Sequence, residues 1–153
     1  MTEYRRGSHT VFSIHLHIVW ITKYRHKVLK GAVAERVRDV VREECRRAGV
    51  DILKGHLAAD HVHVLVSIPP QVAISRLVQR LKGKSSYRLL AEFPAVRKRY
   101  WGRHGWARGY FCRRSGNVTD EVIKAYIENQ GHDEDEVFRI EGEVSPAGES
   151  PLT

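Results

Sequence analysis

The chain contains no apolar run near the roughly 20 residues that a bilayer-spanning helix requires, and no signal-peptide pattern opens it. Nothing therefore directs it to or through a membrane, and the expected location is the cytoplasm, with the nucleoid as its place when bound to DNA. Cysteine is scarce: Cys45 and Cys112 form no spacing motif, which excludes a disulfide framework. The clustered carboxylates of a two-metal phosphohydrolase are missing as well. Acids are also few where bases are many. Residues 120–153 hold ten of the 18 acids but two of the 26 bases, leaving 24 bases against eight acids in residues 1–119. A surface that merely solubilises mixes both signs. A body this one-sided favours a polyanion, and nucleic acid comes first. What the chain does have is a 42% hydrophobic content over 153 residues, enough for one folded domain with its own core.

The stretch Asp60-His61-Val62-His63-Val64-Leu65-Val66-Ser67-Ile68 is the most informative. It is rich in β-branched residues and closed by Pro69-Pro70, which predicts a strand over 61–68. Side chains alternate across a strand, so Val62, Val64, Val66 and Ile68 share a core face while His61 and His63 share the other. Two imidazoles on one face suit a metal ion; they equally suit hydrogen bonding at a sheet surface. Val11 to Trp20 alternates for part of its length, with His15 and His17 opposite the apolar set, which suits rival metal ligands and equally a His pair beside a nucleic-acid groove.

Around these strands the pattern predicts a helix over Gly31 to Ala48, stopped by Gly49, and a strand over Val50 to Leu57 that turns at Ala58-Ala59-Asp60. A second helix follows from Val72 to Ala91, then an irregular stretch over 92–109 and a short strand from Gly109 to Arg113. In the second helix Arg76, Arg80, Lys84 and Arg88 recur every fourth residue, a basic stripe with no interleaved acid. Lys23, Tyr24 and Arg25 form a basic run with an aromatic, a mix suited to phosphate contact and base stacking. A last helix begins at Thr119, with Asp120 and Glu121 in its first turn and Gly131 at its end. It sets Tyr126 and Gln130 four apart on one face; alone, such a tyrosine is more often a core aromatic.

The order β-α-β-β-α-β-α predicts an α+β fold. It is a ferredoxin-like β-α-β-β-α-β antiparallel sheet with two covering helices, plus a C-terminal helix bearing the tyrosine. The organisation expected is a loose basic arm (1–10), one domain (11–131) and an acidic, flexible tail (132–153).

Four stretches carry a resemblance. They are Val19-Trp20-Ile21-Thr22-Lys23-Tyr24-Arg25, Asp60-His61-Val62-His63-Val64-Leu65-Val66, Leu81-Lys82-Gly83-Lys84-Ser85-Ser86 and Tyr126-Ile127-Glu128-Asn129-Gln130. In that order they resemble the conserved blocks of the single-tyrosine, His-hydrophobic-His (HUH) transposases of the IS200/IS605 insertion-sequence family, over roughly residues 9 to 131. The resemblance implies cleavage and rejoining of single-stranded DNA. His61 and His63 match the metal-binding pair, Gln130 the third ligand and Tyr126 the nucleophile. Two imidazoles and an amide oxygen suit Mg²⁺ or Mn²⁺, and without a cysteine among them a closed zinc centre is not expected. The product of attack is a 5′-phosphotyrosine that keeps the bond energy, so no nucleotide cofactor is needed. The partners implied are single-stranded DNA with a hairpin at the element ends and a second copy of the chain, in a homodimer with possible trans active sites. The residues expected to touch DNA are Lys23, Tyr24, Arg25, Arg76, Arg80, Lys82, Lys84 and Arg88. One segment departs from the pattern: Trp106 to Cys112 lacks the Trp-Ser-Pro-Ser-Tyr-Phe run. Alternatives are a tyrosine transposase tied to repeated hairpins and a ferredoxin-like nucleic-acid-binding regulator that does not cut.

Overall fold

In the computed structural model the residues described are 5–6, 11–12, 14–100, 104–115 and 137–142. Strand β1 (Arg5–Arg6) pairs antiparallel with β2 (Val11–Phe12) in a small sheet of its own. The first long strand is β3 (Ile14–Ile21), followed by a 3-10 turn at Lys23–Arg25 and helix α1 (Gly31–Ala48). Strands β4 (Asp51–Ala58) and β5 (His61–Ile68) form the expected hairpin. Helices α2 (Ile74–Glu92) and α3 (Pro94–Arg99) come next, then β6 (Phe111–Arg114) and β7 (Phe138–Ile140). The main sheet has the order β6-β3-β5-β4-β7. In its first four strands each neighbouring pair is antiparallel, which reproduces the ferredoxin-like arrangement, while β7 adds to β4 in parallel.

One face of this sheet makes the core. Leu16, Ile18 and Trp20 of β3 and Val62, Val64, Val66 and Ile68 of β5 pack with Val37 and Val41 of α1 and Leu77, Val78 and Leu81 of α2. Burying these aliphatics removes apolar surface from water at about 25 cal/mol per Å², and the pairing register follows from it. A slip of one residue would turn Val62, Val64 and Val66 outward. Helix α1 ends where Gly49 takes φ 74°, and its N–H bonds back to the last turn.

Four expectations need correction. Residues 1–10 are not wholly a loose arm, since Arg5–Arg6 pairs with Val11–Phe12. Of the first expected strand, Val11–Phe12 pairs with β1 while Ile14–Ile21 joins the main sheet. The stretch 92–109 is not irregular throughout: Pro94 opens a short helix that buries Val96, and Tyr100 is buried just beyond it. Finally, 132–153 is not wholly a tail. Phe138 and Ile140 are buried with Arg139 exposed between them, and Phe138 lies directly over Gly55. A Cβ at Gly55 would stand 2.6 Å from the Phe138 ring, so the glycine makes the space the ring fills. Arg38 donates to the Phe138 carbonyl at 3.4 Å, and Arg42 lies 5.9 Å over its ring.

Candidate active site

On the sheet face away from the core, the hairpin register sets His56 of β4 directly opposite His63 of β5. From the other side, His17 of β3 reaches His63: Nδ1 of His17 and Nε2 of His63 are 3.0 Å apart. His61 stands one pleat further along, its ring 6.4 Å from that of His56. Three adjacent strands thus bring His17, His56, His61 and His63 near one another on a face that also carries His15. Burial pushes His17 and His63 below the ordinary histidine range. Arg113 adds to this at His17, and His17, His56, His61 and Lys54 add to it at His63. A metal ion requires a lone pair; in a neutral pair His63 keeps one, on Nδ1, when its Nε2–H is donated to His17.

His61 is held differently. Its Nδ1 lies 2.9 Å from Oδ1 of Asp60, while Oδ2 of Asp60 accepts from Nε and a terminal nitrogen of Arg25 at 3.2 and 3.0 Å. The hydrogen bond to His61 and the Arg25 guanidinium hold the Asp60 carboxyl below its usual range. With Nδ1–H donated to the carboxylate, the Nε2 lone pair of His61 is left free. Among the described residues no group of three or more His, Cys, Asp or Glu is placed to hold a metal ion. The donor set here is Nε2 of His61 and the ring nitrogen of His63 not engaged with His17, and two imidazole nitrogens fit a divalent ion that takes further ligands.

Beside His61 lies the basic turn. Tyr24 and Arg25 both take left-handed backbone angles, φ 61° and 56°, an arrangement that costs on the order of 1–3 kcal/mol per residue and persists only where the surroundings enforce it. Here Thr22 N–H bonds to Asp60 O at 2.9 Å, Lys23 N–H to Gly105 O at 2.8 Å, and Thr22 Oγ1 to His26 O at 2.8 Å. The turn leaves Tyr24 73% exposed, with the Lys23 ammonium 5.4 Å from its ring centre. That pair is open to a base and a phosphate; Arg25 is already engaged with Asp60.

The remaining candidates separate by partner. Lys82 donates to the carbonyls of Ala107 and Gly109 at 2.8 and 2.9 Å, and burial lowers its pKa. Ser85 accepts from the Trp106 indole at 2.9 Å, and Ser86 accepts from Gly105 N–H at 3.2 Å. Lys82, Ser85 and Ser86 therefore anchor the 104–109 loop, and Trp106 turns inward, edge-on to Trp20. The stripe on α2 is not free of acids in space: Arg80 lies 3.6 Å from Glu44, and Arg88 lies 4.0 Å from Glu92. Arg76 and Lys84 have no ion-pair partner among the described residues. Tyr126 and Gln130 lie outside the described residues. In the chain they fall between β6 and β7, the two edge strands of the sheet.

Sequence reasoning gave Asp60 and His56 no role. The register held a signal for His56: a two-residue turn at Ala59-Asp60 pairs Ala58 with His61, and counting back two places His56 against His63.

A ferredoxin-like sheet, with paired histidines on the face away from the two long helices and a basic body around it, matches the architecture of transposases. The comparisons with known proteins say the same. The family profile described as "Transposase IS200 like" matches residues 10–130. The chain is 35% identical to the ISDra2 transposase TnpA of Deinococcus radiodurans over 133 residues, 87% of this chain and 94% of that protein. It is 36% identical over 130 residues to the transposase for insertion sequence element IS200 of Salmonella typhimurium, 85% of each chain. A crystal structure of a Deinococcus radiodurans protein described as a transposase superposes with a TM-score of 0.68 at 33% identity, covering 82% of this chain and 97% of that one. A REP-associated tyrosine transposase bound to a REP hairpin shares the fold, with a TM-score of 0.54 at 16% identity, over 79% of this chain and 66% of that one. The chain belongs to the IS200-like family, the single-tyrosine transposases of the IS200/IS605 group.

Proposed function

We propose that this transposase cleaves and rejoins single-stranded DNA through Tyr126 and so moves an insertion sequence. The observation that carries the reading is the sheet face away from the helices, where His61 contacts Asp60 and His63, its pKa lowered by burial, contacts His17. His61 and His63, with Gln130, would hold Mg²⁺ or Mn²⁺, which when bound polarises the scissile phosphate as a Lewis acid. The Tyr126 oxygen attacks phosphorus. An O–P bond forms as the P–O3′ bond breaks, the phenol gives up its proton and the 3′-oxygen gains one. A phenol ionises near pH ~10, so the attacking group needs a proton acceptor at neutral pH. Reversal by a 3′-hydroxyl reseals the strand from the 5′-phosphotyrosine without a nucleotide cofactor.

The DNA partner is a single strand with a hairpin at each element end, and the working unit is a homodimer. Similarity to insertion-sequence transposases at 35–36% identity favours this over the hairpin-repeat class, which shares only the fold. The test is incubation with hairpin-bearing single-stranded DNA and Mn²⁺, followed by a denaturing gel. Wild type should form a covalent adduct, and Tyr126→Phe should bind DNA yet form none. A Tyr126→Phe adduct with a cleaved strand would overturn the assignment. Mixing Tyr126→Phe with His61→Ala then tests the dimer: restored cleavage means trans sites, and a dimer that stays inactive means cis sites.

A further inference from the structure

We infer that Asp60 is a positioning residue for His61 and that Arg25 sets Asp60, so that the DNA-facing turn and the metal-binding histidine form one mechanical unit. This rests on the reading of His61 as a metal ligand. Asp60 sits in the two-residue turn before β5, outside the alternation of the strand, and its carboxylate is free to fold beside the next side chain. Both of its oxygens are used: Oδ1 lies 2.9 Å from Nδ1 of His61, and Oδ2 accepts the two-pronged contact from Arg25. The backbone of the turn is fixed as well, since Thr22 N–H donates to Asp60 O and Leu29 N–H donates to Ala59 O, each at 2.9 Å.

The consequence is chemical. An imidazole has two nitrogens, and a neutral ring offers its lone pair on whichever one lacks the proton. A carboxylate at Nδ1 keeps the proton there and leaves Nε2 aimed outward as the donor, which also raises its basicity. Arg25 prevents the carboxylate from rotating away. The left-handed turn, held by the backbone bonds of Thr22, Lys23 and Arg25, places the Arg25 guanidinium on Asp60. His63, whose neighbour is His17 rather than a carboxylate, has no comparable support and serves as the internal reference.

Two measurements on the full chain test this without reading activity. Nitrogen-15 NMR of the metal-free protein at neutral pH reports the tautomer of His61, and calorimetric titration with Mn²⁺ reports affinity. Wild type should show His61 fixed with its proton on Nδ1. Asp60→Ala should release it to a tautomer mixture and weaken Mn²⁺ binding by about 10–100-fold, while His63 keeps its wild-type signals. Arg25→Gln, an exposed change that spares the fold, should give a smaller loss of the same kind, and decides the matter should Asp60→Ala fail to fold. Unchanged tautomer and affinity in a folded Asp60→Ala protein, or in Arg25→Gln when that variant must decide, overturn the inference. So does a His61 protonated on both nitrogens in the wild type. Absence of Mn²⁺ binding by the wild type would instead refute the metal reading, and the tautomer comparison would still judge Asp60.

Discussion

On the helix-covered face of β5, Val62, Val64 and Val66 are fully buried and Ile68 nearly so. On the opposite face His61 and His63 remain accessible, although each is flanked in sequence by valine. The first face is held by exclusion of water, which is non-directional and tolerates exchange of one aliphatic for another of similar volume. The second is held by paired nitrogens and oxygens at 2.9–3.0 Å, where direction is everything. Stability and chemistry are thus separated by the thickness of a single strand, and substitutions on the two faces should be read by different assays.

The sharpest break of this comparison is the double variant His61→Ala, His63→Ala. Cleavage of single-stranded DNA should be lost altogether while the thermal midpoint and DNA binding change little. A double variant that cleaves normally with Mn²⁺ removes the functional half of the comparison. On the other face, Ile18→Ala should cost about 2–5 kcal/mol in denaturant unfolding yet leave adduct formation intact in the protein that remains folded. Equal losses of activity and stability there would mean that the faces are not independent.

The comparison extends to the sheet edge through Gly55, which faces the core beneath Phe138. Gly55→Ala should displace the ring and destabilise by about 1–3 kcal/mol, with β7 amides losing hydrogen-exchange protection before those of β5. Retained β7 protection would show that the ring does not anchor that strand.

A smaller effect is expected on α2. Neutralising Arg76 and Lys84 should flatten the salt dependence of DNA binding by up to ~0.7 in log–log slope per lost single-strand contact. Neutralising Arg80 and Arg88, already beside Glu44 and Glu92, should do less. An unchanged slope in the quadruple variant places the DNA on another surface. The smallest effect belongs to Glu92, whose carboxyl is held below its usual range by the hydrogen bond from Arg36 that joins α1 to α2. Its contribution is present above the ordinary value of 4.5 and is lost as pH falls through the lower folded value. Unfolding measured from pH 6 to pH 3 should show a shallower decline in Glu92→Gln than in wild type.

The sequence by itself determined the hairpin, the face of each histidine and the order of the ferredoxin-like elements. Periodicity is a local property: alternation in 61–68 and fourfold spacing in α1 and α2 are written in neighbouring residues. It also determined the resemblance, because four blocks in one order are a linear pattern. What it left to tertiary structure are relations between residues far apart in the chain. Arg80 looked unopposed because Glu44 lies on another helix. Lys82 looked free for phosphate because the carbonyls of Ala107 and Gly109 come from a distant loop. Phe138 was assigned to a tail because three residues carry too little pattern to announce a strand, and only the space above Gly55 gives them a place. The pairing of His17 with His63 and the hold of Arg25 on Asp60 belong to the same class. Each needs a strand register or a turn conformation fixed by packing before two polar atoms can meet.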